Sequence, residues 1–115
     1  MDKIPFTDFA KVELKVGKVL EAEKLEGSEK LIKLVVDLGE DPTKDSGPDR
    51  RQILAGVQQF YSPEELVGKN IIVVANLEYR QMAGSESQGM MLAADGEKPI
   101  LLTTMEEVPP GTKIR

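Results

Sequence analysis

The chain contains no cysteine, no histidine and no tryptophan. The missing cysteine excludes a disulfide framework and any thiolate metal site, and it fits a reducing compartment. Without histidine the commonest general base and metal ligand are gone, and with cysteine also absent so is the commonest covalent nucleophile. Catalysis would have to rest on carboxylates, lysine or hydroxyls. Ser85-Glu86-Ser87-Gln88-Gly89 is shaped like a nucleophile elbow, but Ser85 stands where the first glycine belongs and no imidazole exists to activate Ser87. Gly17-Lys18 and Gly68-Lys69 lack the upstream glycine and the following Ser or Thr of a phosphate-binding loop, and there is no G-x-G-x-x-G. No enzyme, cofactor or metal is therefore expected. Apolar runs fall short of the roughly 18 residues of a membrane span, and MDKIPFTDFAKVE is too charged for a secretory signal, so no membrane is expected and the expected location is cytoplasmic. Positive charge is short too: 15 Lys and Arg against 20 Asp and Glu leave a formal net charge of −5. A nonspecific polyphosphate binder clusters cations, so any nucleic-acid site here must be local. With aromatics at 4% of the chain, a stacking platform would be thin.

The 115 residues, 40% of them hydrophobic, suit one domain with a single core spanning 1–115. Over residues 11–23, Val12, Leu14, Val16, Leu20 and Ala22 alternate with polar neighbours, the period-two mark of a half-buried strand. Gly17 and Lys18 break the phase, which predicts a bulge or bend. A turn at Gly27-Ser28 leads to a second strand over Leu31–Leu38, paired antiparallel with the first. From Gly39 to Arg50 prolines, glycines and acidic residues predict a solvated loop. Asp41, Asp45 and Asp49 lack the spacing of a calcium loop and read as solvent-facing, and Lys44 reads as an isolated, screened charge. Arg51–Val57 predicts a third strand. Ser62-Pro63-Glu64-Glu65 then combines an N-cap serine, a proline at the first helical position and a capping-box glutamate, with Gly68 as the stop of a helix about two turns long. The β-branched run Asn70–Ala75 is a fourth strand and Gly89–Asp95 a fifth, closed by the turn Asp95-Gly96, with Ile100–Thr103 extending it or adding an edge. The tail EEVPPGTKIR returns to polar and Pro-Gly chemistry. Five strands with a short helix between the third and fourth is the order of an all-β, five-stranded OB-fold, a Greek-key barrel used for oligonucleotides.

Between two apolar strands, residues 75–94 crowd Asn, Arg, Ser and Gln together, which makes them an ordinary polar connection or a ligand surface. At this point a family is recognisable. DFAKVELKVGKVLEAEKLEGSEKLIKLVVDLGE, RQILAGVQQFYSPEELVGKNIIVVANL and GSESQGMMLAA resemble the tRNA-binding domain family, over roughly residues 8–113, with ANL followed by ESQGM as the most specific part. The family includes the C-terminal domain of many methionyl-tRNA synthetases and free-standing tRNA-binding proteins, all built on the OB-fold. The resemblance implies an RNA surface of Lys30, Arg51, Asn76, Arg80, Ser87, Gln88 and Met90, with tRNA and methionyl-tRNA synthetase as partners and a homodimer as the assembly. Arg and Lys suit phosphates, while Asn, Gln and Ser suit sugar hydroxyls and base edges. The family presents several basic residues between ANL and ESQGM; here Glu78, Gln81 and Ala83 leave Arg80 alone, which implies few phosphate contacts. A chaperone-like branch that forms dimers on the same fold is the alternative, followed by a scaffold that pairs synthetase subunits through the barrel edge, Val108 and Ile114.

Overall fold

The computed structural model describes residues 1–41 and 47–115. Lys44 and Asp45, read above as loop charges, lie outside the described residues. One turn of helix, α1 (Phe6–Phe9), precedes β1 (Leu14–Lys24) and β2 (Ile32–Glu40). Next come β3 (Pro48–Ala55), a second helical turn α2 (Pro63–Leu66) and β4 (Asn70–Val74). Short strands follow: β5 (Arg80–Met82), β6 (Ser85–Ser87), β7 (Met90–Met91), β8 (Ala93–Asp95), β9 (Pro99–Leu101) and β10 (Lys113–Ile114). The main antiparallel sheet runs β3-β2-β1-β4-β7, with β10 added to β1, while β5–β6 and β8–β9 form two hairpins. This curled half-barrel has the strand order of the expected OB-fold.

Strand β2 buries every second side chain, Ile32, Leu34, Val36 and Leu38, each fully covered, as its alternation requires. Val19, Ile53, Ala55, Val57, Leu66, Ile71, Val73 and Ala75 complete the main core cluster. All five residues of β4 are buried, so its β-branched run has both faces covered. The break in β1 lies later than the sequence pattern places it. The register shifts between Val19 and Glu21, whereas Gly17 pairs regularly with Ile71. Gly17 is there for space: a Cβ on it would sit 2.5 Å from Val36 Cγ1 and 3.0 Å from Leu38 Cδ2.

Several boundaries move. The helix is one turn rather than two, and Ser62 has N-cap backbone angles but makes no side-chain capping bond among the described residues, so the capping box does not form. Gly68 does end it, at φ +87°, and its amide donates to Val19 O at 2.8 Å. Strand β3 starts at Pro48, inside the stretch expected to be loop, and Glu40 faces Pro48 across the ladder. The fifth predicted strand divides into β7, which pairs with β4, and β8, which turns away to pair with β9. The polar tail becomes β10, with Leu14 opposite Ile114. It crosses the end of β2 backbone to backbone, where Gly39 (φ +84°) and Gly111 (φ +88°) meet and a side chain on either would collide with the other strand.

Candidate functional site

The outer edge of β3 takes its main bonds from side chains; among the described residues no strand pairs with it. Residues 86–88 supply them. The Gln52 amide donates to Gln88 Oε1 at 3.0 Å, the Gln88 amide donates to Gln52 O at 2.8 Å, and Gln52 Nε2 donates to Glu86 O at 2.9 Å. One step along, the Leu54 amide donates to Ser87 Oγ at 3.0 Å, and that hydroxyl donates to Gly89 O at 3.0 Å. An amide and a hydroxyl thus imitate the missing strand, and the half-barrel closes along this seam. Ser87 is 4% exposed, so both capacities of its hydroxyl are used within the protein.

Arg51 anchors the same seam. Its Nε and Nη2 donate to the two carboxylate oxygens of Asp49 at 3.1 and 3.0 Å, and its Nη1 donates to Ala75 O and to Gln88 O, the latter at 3.2 Å. The pair is largely covered, with side-chain exposures of 17% for Arg51 and 6% for Asp49. Asp49 is therefore not the solvated loop carboxylate its polar surroundings suggest. It is buried in β3, where it neutralises a guanidinium that four hydrogen bonds hold in place. Burial pushes the Arg51 pKa down, but the hydrogen bond and the charge of Asp49 raise it beyond that loss, for a net rise above the ordinary arginine value. A raised basic pKa contributes stability that is complete below the ordinary value and fades only above it, so the clamp keeps its cation across the working pH range.

Between the two carbonyls that Arg51 holds, the chain leaves the barrel as the β5–β6 hairpin, with Arg80 opposite Ser87 and Met82 opposite Ser85. Ala83 (φ 48°) and Gly84 (φ 81°) make its turn; two successive positive φ values match the strand twist. At the start of this excursion, Asn76 Oδ1 accepts from the Glu13 amide at 2.8 Å and Asn76 Nδ2 donates to Lys11 O at 2.5 Å, pinning the segment before β1.

Beneath the hairpin lies a cleft of about 340 Å³, lined by Leu54, Gly56, Arg80, Met82, Ser87 and Met90 among others. Gly56 leaves its wall open, since nothing lies within 4 Å of where a Cβ would stand. A second cleft of about 300 Å³ shares Gly56 and is lined by Lys30, Leu31, Gln59 and Phe60. Of the seven residues named from the sequence, Lys30, Arg80, Ser87 and Met90 therefore gather around Gly56. Lys30, Arg80 and Met90 are exposed, and Ser87 forms the buried floor. Arg51 and Gln88 stand behind, in the seam, and Asn76 lies at the foot of the hairpin. Leu54, Gly56 and Met82 were missed: they read as strand or connection residues, and only the placement of the hairpin over β3 turns them into a cleft.

A small curled β-barrel with cationic side chains on its β1–β2 loop, Lys30, and at the start of β5, Arg80, lining two adjoining clefts, is an oligonucleotide-type OB barrel. The chain belongs to the family of putative tRNA binding domains, whose sequence model matches residues 14–113. It is 50% identical over 112 residues to methionine–tRNA ligase from Methanocella arvoryzae, a match that covers 97% of this chain and 15% of that protein. Among solved structures it superposes on a MetRS-related protein from Pyrococcus horikoshii with a TM-score of 0.88 at 39% identity, covering 100% of both chains. The chaperone CsaA from Bacillus anthracis gives a TM-score of 0.85 at 31% identity, covering 99% of this chain and 100% of that one. The chain thus spans about a sixth of the curated ligases it matches and the full length of the smaller structures.

Proposed function

We propose that this chain is a noncatalytic tRNA-binding domain that works in the cytoplasm and holds tRNA for methionyl-tRNA synthetase, whether joined to it or as a separate chain. One observation carries the reading: Arg80, Ser87 and Met90, selected from a family resemblance alone, line a single cleft, and Lys30 lines the adjoining one. The cleft's chemistry suits an unstacked nucleotide. Met82, Met90 and Leu54 offer an adaptable apolar bed for a base face, while Arg80 and Lys30 stand where the flanking phosphates would run. Arg51, Asn76, Gln88 and the Ser87 hydroxyl serve by shaping this surface, because their polar groups are engaged within the fold. With few cations at the cleft, affinity for free tRNA is modest, and the benefit to a synthetase comes from raising the local tRNA concentration.

The test is a titration of unfractionated tRNA at low and moderate salt, with a pull-down of methionyl-tRNA synthetase. Arg80→Glu removes one phosphate contact and adds a repulsive charge, so binding weakens and the salt slope falls by about 1, with folding intact because Arg80 is exposed. Lys69→Glu, in a different cleft beside Thr103 and Glu107, has a much smaller effect. Equal losses from the two variants, or unfolding of Arg80→Glu, would remove the assignment of this face.

The likeness to CsaA supports a second reading as a dimeric chaperone-like protein. Met1, Ile4, Phe6, Phe9 and Val12 all stand exposed at the start of the chain, and an apolar arm of that kind suits a homodimer. Sedimentation showing only monomer at micromolar concentration would exclude the dimer. The scaffold reading loses part of its surface, since Ile114 is half-buried within β10.

A further inference from the structure

We propose that Asp49 is a positioning residue for the cleft, acting through Arg51 to fix both feet of the β5–β6 hairpin. Arg51 Nη1 is shared between Ala75 O and Gln88 O, the carbonyls just before and just after the excursion 76–87 that carries Arg80 and Met82. A single nitrogen thus sets the separation of the two points where the hairpin leaves and rejoins the barrel. It can do so only if the guanidinium plane is held still. The two-point grip of Asp49 on Nε and Nη2 supplies that restraint and leaves the opposite side of the fork facing the carbonyls. The grip comes from within the same edge strand, two residues away, so it moves with β3 and not with the hairpin. Glu86 O and Gln88 Oε1 then bond Gln52 in a register the clamp has already set. The inference rests on the proposal that the cleft under the hairpin receives RNA, and it predicts an effect whose sign plain electrostatics would reverse. Removing a carboxylate near a polyanion site should by charge alone tighten binding; removing this one should weaken it.

The experiment compares the full chain with Asp49→Asn, reading tRNA affinity, its salt slope and the hydrogen exchange of backbone amides. Asp49→Asn is expected to bind tRNA about tenfold more weakly, the size of one lost charged hydrogen bond. Its salt slope should match the parent, because neither Asp49 nor Arg51 touches a phosphate, whereas Arg80→Gln lowers the slope by about 1. Amides of residues 77–87 should exchange faster while those of β1, β2 and β4 do not change. If Asp49→Asn fails to fold, the double variant Asp49→Leu, Arg51→Met serves, since an apolar pair commonly restores stability at a broken buried ion pair. That variant lacks the carbonyl bonds and should again combine a sound barrel with a loosened hairpin and weak binding. Unchanged or tighter tRNA binding by a folded variant overturns the proposal, as does unchanged exchange over 77–87. If the parent itself binds no tRNA, the reading of the cleft fails, and the exchange data alone decide whether Asp49 holds the hairpin.

Discussion

The barrel is held together differently on its two sides. From β2 through β1 to β4 the contact is a backbone ladder, with Glu23–Lys33 and Val16–Ile72 among its regular pairs and a continuous file of apolar side chains behind it. Along the seam between β3 and residues 86–89 the ladder is replaced by Gln88, Ser87, Gln52 and Arg51, each doing what a length of strand does elsewhere. Repeated backbone bonds spread stability over many residues, so the laddered side answers to volume and pattern. The seam concentrates it in a few polar atoms, so it answers to the identity of single side chains. Of the exposed candidate contacts, Arg80 rides on the hairpin that this seam carries, whereas Met90 sits in a ladder pair with Val74 and Lys30 on the β1–β2 loop.

Four substitutions would break or sharpen this contrast. The largest effect is expected on the laddered side: Leu34→Ala, at a fully buried position in β2, should cost about 2–5 kcal/mol in chemical denaturation. Gly17→Ala places a Cβ 2.5 Å from Val36 Cγ1, a branched side chain with no room to retreat, and overpacking of this kind should cost about 1–3 kcal/mol with a lowered midpoint at unchanged m-value. In the seam, Ser87→Ala deletes one oxygen and leaves the buried Leu54 amide without its acceptor, for a loss of about 1–3 kcal/mol. A cost within error for Ser87→Ala, measured by thermal or urea unfolding, would show that the seam does not depend on individual atoms and would erase the contrast. The smallest effect has the opposite sign. Ala83 holds φ at 48°, where a Cβ is unwelcome, so Ala83→Asn should stabilise by up to about 1 kcal/mol and leave tRNA affinity unchanged. Destabilisation by that change would mean the hairpin turn is held by contacts beyond its own backbone.

The same contrast explains what could be read from the sequence. Period-two burial in β2, the β-branched run of β4 and the Gly68 stop are local signals, and the OB order follows from them. The start of β3 was hidden because Pro48, Asp49 and Arg50 carry the composition of a loop; only a partner strand at Glu40 and a guanidinium at Arg51 make them sheet. Nothing periodic marks Ser87 as buried or joins Gln52 to Gln88 across 36 residues, and Asn76 reaches back 63 residues to Glu13. Side-chain bonds of that span leave no trace in local patterning. The family resemblance singles out Arg51, Asn76, Ser87 and Gln88 as RNA contacts, and in the structure each also bonds within the fold. A motif records that a residue matters without saying whether it touches a ligand or builds the surface that does.

One feature of the tail bears on how such a barrel can be attached to anything else. Leu14 lies opposite Ile114, and Asn76 ties the residues just ahead of Leu14 to the end of β4, so the polypeptide enters and leaves the fold at one corner of β1. A domain whose two ends share a corner behaves as a pendant. Either strand end at that corner can carry a neighbour, and a linker that joins β10 to β1 there, with new ends cut elsewhere, should leave the strand order intact.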